Sequence, residues 1–232
     1  MELFYNKNIN DKTFEFSLDG IENNHINKVL RKKEGDILTF TNGKNLKFTA
    51  EIIQLSKKIS SFKVLNCETV SFKNHLHIAI SILKSPSRFE NFIEKAVEIG
   101  VSEITPLICE RSQKSKIKID RCNKIIISAL KQSFKFRLPK LNTPINFVDF
   151  IKSNKDQNKL IATCEESKKT PLIDSFNKLK TNVLLIGPEG DFTETELKEA
   201  QNYGFQLVTL GDTRLRAETA GIVSCAIFST IK

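Results

Sequence analysis

From Leu76 to the C-terminus, short apolar runs alternate with amphipathic stretches, and this alternation restricts the fold more than any other feature. Leu76 to Leu83 is a nearly continuous apolar run, the signature of a strand buried on both faces. A helix from about Arg88 carries Phe89, Phe92, Ile93, Ala96, Val97 and Ile99 at i, i+3, i+4 spacing and stops at Gly100. Glu103 to Ile108 reads as the next strand, Asp120 to Phe134 as a helix, and Leu160 to Cys164 as a strand. A short helix follows Pro171. Strand–helix units repeated in this order predict an α/β fold, a mostly parallel sheet with helices on both faces.

The last two units carry the chemistry. Asn182 to Ile186 is an apolar strand that feeds Gly187-Pro-Glu-Gly190 and then Asp191. Thr193 and Glu196 form a capping box for the following helix, and Gly204 suits its C-terminus. Gln206 to Leu210 is the second strand, followed by Gly211-Asp-Thr-Arg-Leu-Arg216 and a last helix from about Ala217. In open α/β sheets, ligands bind at the carboxyl ends of parallel strands, where both loops fall.

The first 70 or so residues have another character. Leu3–Tyr5, Ile37–Phe40, Leu46–Gln54 and Phe62–Leu65 are strand candidates, with Gly35-Asp36 and Asn42-Gly43 as turns. A helix is expected from His25 to Lys33, with Ile26, Val29 and Leu30 on one face. Several strands in so short a span predict a small barrel or curled sheet. The boundary is placed between Cys67 and Asn74, giving domains 1–72 and 73–232.

The net charge of +9 points to a polyanionic partner, nucleic acid ahead of membrane, although lysines filling solvated positions would give the same balance. The five cysteines are widely spaced without a Cys-x-x-Cys pair, so neither a disulfide framework nor a zinc ribbon is indicated. The start lacks a basic region followed by a long apolar core, and no apolar run approaches the ~20 residues that span a bilayer. A soluble, cytoplasmic protein is expected.

On its own, Gly187-Pro-Glu-Gly190 is compatible with an ordinary strand–helix turn. Glycines let a ligand approach bare backbone, and Pro188 stiffens the loop. The pattern is neither Gly-x-Gly-x-x-Gly nor a P-loop, so Rossmann dinucleotide and NTP binding lack their fingerprints. Arg214, Arg216 and Glu218 lie within five residues of one another, and guanidinium groups recognise phosphates and carboxylates. Arg88 heads a charged helix face, and Arg111-Ser112 follows a strand end. His25 opens a basic segment that ends Arg31-Lys-Lys33. His75 and His77 share a strand face with no third ligand nearby, which argues against a metal site.

Taken together, Leu-Leu-Ile-Gly-Pro-Glu-Gly (184–190), Leu210-Gly211 and Leu-Arg-Ala-Glu-Thr-Ala (215–220) closely resemble the 16S ribosomal RNA uracil-N3 methyltransferases of the knotted SPOUT superfamily. The likeness extends to His25–Asp36, Lys95–Val101, Pro106, Arg111-Ser112, Gln132-Ser133 and Pro139. It implies an N-terminal PUA-like β-barrel that helps hold RNA and a C-terminal α/β domain tied in a trefoil knot. S-adenosylmethionine would be the methyl donor, in a homodimer acting on 16S rRNA of the small ribosomal subunit, with no metal. By position, the cofactor cradle would be Ile186, Gly187, Glu189, Gly190, Leu210, Gly211, Leu215 and Arg216. Arg216 and Glu218 are the catalytic candidates, with Glu189 as another proton acceptor. His25, Arg31, Arg88, Arg111 and Arg214 are the RNA-contact candidates. The chain departs from the family pattern at Glu2 and Leu3, at Lys135, at Thr213 and Arg214, and at Asp191, where a glycine is usual. A non-catalytic RNA-binding or ribosome-assembly module is the alternative; S-adenosylmethionine binding separates the two.

Overall fold

A computed structural model describes residues 2–71, 75–166 and 168–231. The chain divides into two compact units, Met1–Phe72 with Leu130–Leu138, and Lys73–Ala129 with Pro139–Lys232. Residues 72–74 of the expected boundary lie outside the described residues.

In the first unit, β1 (Leu3–Tyr5), β2 (Glu15–Asp19), β3 (Ile37–Thr41), β4 (Leu46–Gln54) and β5 (Ile59–Thr69) form one sheet in the order β1-β3-β4-β5-β2. Only the β1–β3 pair is parallel. Register shifts at Thr49/Ala50 and Ile52/Gln54 bend the long β4–β5 ribbon, as bulges do. The expected barrel is therefore a half-barrel: among the described residues β1 and β2 remain edges. Its concave side is packed with Phe4, Phe40, Phe48 and Phe62, all essentially fully buried.

The helix expected over His25–Lys33 is different. A short α1 (Gly20–Asn24) continues as a π-helical turn, His25–Val29, closed by the Leu30 amide donating to the His25 carbonyl. The wider turn rotates side chains off the 3.6-residue period. Ile26 is buried as expected, whereas Val29 is 68% exposed. Arg31, at φ 51°, ends the segment. The Leu130–Leu138 stretch joins this unit through the Leu138 amide on the Gly43 carbonyl (2.8 Å) and the Asn45 amide on the Phe136 carbonyl (2.9 Å). No sequence signal marks that excursion.

The second unit holds an all-parallel sheet. Its strands are β6 (His75–Ser81), β7 (Glu103–Ile108), β8 (Lys140–Leu141), β9 (Ile145–Asn146), β10 (Asn158–Ala162), β11 (Thr170–Pro171), β12 (Thr181–Ile186) and β13 (Gln206–Thr209). Their order is β11-β13-β10-β12-β6-β7-β8, with β9 also on β7. The central strands are buried on both faces, which is why they read as unbroken apolar runs. Helices α4 (Phe147–Ser153) and α6 (Glu194–Asn202) cover one face through Phe147, Phe150, Ile151, Leu197 and Ala200. Helices α2 (Pro86–Ile99) and α7 (Ala217–Thr230) pack on each other, and α7 runs along β6 and β12. Gly221 allows that approach: a Cβ there would stand 2.5 Å from the Phe92 ring. Helix α3 (Ile119–Gln132) and the short α5 (Leu172–Ser175) complete the fold.

Register decides where the site forms. Ala162 pairs with Ile186 and Val208, and Ile186 pairs with Ile80, so four neighbouring strands end in one row. Everything emerging from that row is loop.

Candidate active site

A cavity of about 780 Å³ opens at this row. Its walls come from three loops: Thr163, Cys164 and Lys169 after β10, Gly187–Glu189 and Asp191 after β12, and Leu210–Arg216 after β13. Ala162 and Ile186 form the floor, and Ala217 and Ala220 bring the N-terminal turn of α7 to the edge. Such a volume falls within the range of small-molecule sites. The lining is apolar at Ala162, Ile186, Pro188, Leu210, Leu215, Ala217 and Ala220, and carries Lys169, Arg214 and Arg216 against Glu189, Asp191 and Asp212. Balanced charge beside apolar surface suits a zwitterion joined to a flat, weakly polar group better than a polyphosphate.

The first loop is a turn closed by the Asp191 amide on the Pro188 carbonyl (2.9 Å). Gly187 leaves little room: an added Cβ would sit 3.1 Å from both the Phe192 ring and its amide nitrogen, tighter than most side-chain contacts. The left-handed residue of this loop is Asp191, at φ 61°, and not a glycine. Its Oδ2 accepts from Thr163 Oγ1 (2.9 Å) and the Cys164 amide (2.7 Å), and its Oδ1 from the Phe192 amide (2.8 Å). Glu189 reaches the other way, its Oε1 accepting from the Lys84 amide at 3.1 Å. The capping box predicted for Thr193 and Glu196 is present, and Gly204 follows the C-terminal turn at φ 84°. In the second loop Gly211 adopts φ 124°, open to glycine and rare for other residues.

Seven of the eight cradle candidates line the cavity: Ile186, Gly187, Glu189, Leu210, Gly211, Leu215 and Arg216. Gly190 is just outside, with its carbonyl accepting from Arg111 Nη1 at 2.6 Å. Arg111, read as an RNA contact, also approaches the Phe192 carbonyl at 3.4 Å, so it braces the loop. Arg216 is exposed at the N-cap of α7. Glu218 is buried, is not part of the lining, and faces Arg88, whose Nε is 3.6 Å from Glu218 Oε1. Arg214 lies between the cavity and a shallower hollow that it shares with Arg111, Cys164, Glu165 and Glu194. His25 and Arg31 belong to the first unit, where the His25 ring lies 6.1 Å from that of Phe4.

A family model described as an RNA methyltransferase domain matches residues 70–229, and one described as an RNA methyltransferase PUA domain matches residues 18–65. The chain belongs to the RNA methyltransferase family. Within that family it is 34% identical to the ribosomal RNA small subunit methyltransferase E of Mesomycoplasma hyopneumoniae, covering 89% of this chain and 90% of that one. A probable rRNA-methyltransferase from Porphyromonas gingivalis superposes with a TM-score of 0.90 at 34% identity, over 100% of this chain and 98% of that one. The ribosomal RNA small subunit methyltransferase E of Neisseria gonorrhoeae, solved bound to S-adenosyl methionine, superposes with a TM-score of 0.89 at 29% identity, over 99% and 97%.

Three contributors carry no motif of their own in the sequence: Thr163 and Cys164, which read as a strand end, and Lys169. The available signal was that a parallel strand entering the sheet beside β12 must end in the same row. Asp191 was visible only as a departure from the family pattern.

Proposed function

We propose that this methyltransferase transfers the methyl group of S-adenosylmethionine to N3 of a uridine in 16S rRNA of the small ribosomal subunit. The single observation that carries the reading is the cavity shared by the two glycine loops, which gathers the motif residues into one cradle. Its balanced charges and apolar patches fit the cofactor's amino-acid and adenosine ends. When bound, S-adenosylmethionine supplies an electrophilic methyl group.

Uracil N3 carries a proton at neutral pH and must lose it as the new bond forms. The protein therefore has to align the base and stabilise the developing anion. Arg216, exposed at the cavity edge and permanently charged, is assigned that stabilisation. Glu189 also lines the cavity and is the better-placed proton acceptor; Glu218 is assigned to holding Arg88 beside the start of α7.

Residues 1–72 are proposed as a PUA-like RNA-holding domain and 73–232 as the SPOUT catalytic domain. Strand order supports a knotted path: after β12 the chain crosses beyond β10 to form β13, then returns to lay α7 against β6 and β12. A cytoplasmic homodimer, with His25, Arg31 and Arg214 on the RNA, completes the reading. None of the described helices is long and apolar enough to cross a membrane. Incubating the purified protein with S-adenosylmethionine and undermethylated 16S rRNA, then digesting to nucleosides for mass spectrometry, should yield N3-methyluridine. Methyl transfer to a different atom, or none, would refute the assignment.

A further inference from the structure

We infer that Asp191 is a positioning residue whose carboxylate clamps two walls of the cofactor cavity together; the role in methyl transfer rests on the function proposed above. The β10–β12 ladder ends at the Ala162–Ile186 pair. Beyond it the two chains diverge into the walls formed by Thr163-Cys164 and by Gly187–Asp191. Asp191 Oδ2 joins them again, taking the Thr163 hydroxyl and the Cys164 amide on one oxygen. Both bonds are charge-assisted, the stronger class of hydrogen bond. On the other oxygen, the Phe192 amide fixes the corner that seats the Phe192 ring against Gly187, itself part of the cavity wall.

The backbone conformation shows that the side chain earns its place. At φ 61° a glycine would be unstrained, whereas aspartate is among the few other residues that tolerate this region. Glycine would satisfy the turn and leave the two walls unjoined. A carboxylate satisfies the turn and joins them. Cys164, the exposed member among the free cysteines, sits on the clamped wall and reports its state.

Asp191→Gly is therefore the informative variant, because it relaxes the backbone while removing the clamp. Four quantities are measured: S-adenosylmethionine affinity by calorimetry, the steady-state KM for S-adenosylmethionine and kcat at saturating rRNA, and the rate of thiol labelling at Cys164 located by peptide mass mapping. Asp191→Gly should weaken cofactor binding about tenfold and raise KM similarly, leave kcat at saturating cofactor within about twofold, and accelerate Cys164 labelling severalfold. Asp191→Asn, with one carbonyl oxygen in place of two carboxylate oxygens, should fall between wild type and Asp191→Gly. Thr163→Val should weaken cofactor binding in the wild-type background and have little further effect beside Asp191→Gly. Unchanged affinity and unchanged labelling in Asp191→Gly would overturn the clamp. If the wild type binds no S-adenosylmethionine, the functional reading falls, and the clamp stands or falls on Cys164 labelling alone.

Discussion

The two ends of the parallel sheet are both rich in charge, yet they use it in opposite ways. At the carboxyl ends, Asp212, Arg214 and Arg216 face an open cavity, while Lys169, Glu189 and Asp191, also on its lining, bond nearby backbone. At the amino ends, His75 and His77 of β6 meet Glu103, Thr105, Asn142 and Asp156 in a shared network. His77 Nε2 lies 2.7 Å from Thr105 Oγ1 and Nδ1 3.3 Å from Asp156 Oδ2. Asn142 Nδ2 donates at 2.7 Å to both Glu103 and Thr105, and His75 Nε2 stands 3.6 Å from Glu103 Oε2. The His75 ring close by, then hydrogen bonds from Asn142 and Lys140, hold the Glu103 carboxyl well below the usual range despite its partial burial. Burial by itself would raise Asp156, but bonds from His77 and Asn154 bring it down. Among the described residues no group of three or more His, Cys, Asp or Glu is arranged to hold a metal. Charged side chains spent on one another hold the amino ends of the sheet together; Asp212, Arg214 and Arg216, facing the cavity, are open to a ligand.

Substitutions at the two ends should therefore separate activity from stability. The largest effect is expected at the open end: Arg216→Ala should lower methyl transfer by about 100-fold or more, the scale seen when one anion-stabilising donor is removed. Thermal melting should change little. Full activity in that variant would remove Arg216 from the mechanism. At the amino end, His77→Ala leaves buried Thr105 and half-buried Asp156 each one partner short, and urea melts should show a loss of about 3 kcal/mol. Turnover per folded molecule should be unaffected; a selective loss of kcat would break the contrast drawn here.

Between the two ends, Gly221→Ala places a Cβ against Phe92 and should cost about 1–3 kcal/mol by overpacking α2 on α7, read by the same melts. The smallest effect is pH-dependent. Because Glu103 is depressed in the fold, its stabilisation is present above the ordinary glutamate pKa of about 4.3 and lost as pH falls toward its folded value. Glu103→Gln should be less stable than wild type by about 1 kcal/mol near pH 7, and the gap should close as pH drops below about 4. A gap that widens on acidification would show that Glu103 gains nothing from its neighbours.

Much of the sheet was legible because burial on both faces leaves an unbroken apolar run. Glu103–Ile108 matches its observed strand end to end, Leu46–Gln54 of the first unit does so through its β-branched and aromatic residues, and the helix expected from about Ala217 begins there. What escaped is short or aperiodic. The two-residue β8, β9 and β11 carry no pattern, α4 spans only two turns, and a π-helical turn defeats a 3.6-residue period. Strand β2 was missed although Phe16 and Leu18 alternate with polar neighbours. The cavity lining was legible through its glycines and arginines. Its bracing was not, since Asp191 on Thr163 and Arg111 on Gly190 join residues 28 and 79 apart, and only strand order makes them neighbours.

The loops after β12 and β13 are proposed to form one cofactor cradle. A crystal structure of this protein grown with S-adenosylmethionine tests it most directly. The cofactor is expected between Gly187–Glu189 and Leu210–Arg216, its methyl group turned toward Arg216. Cofactor bound elsewhere, or an empty cradle at saturating cofactor, would contradict it.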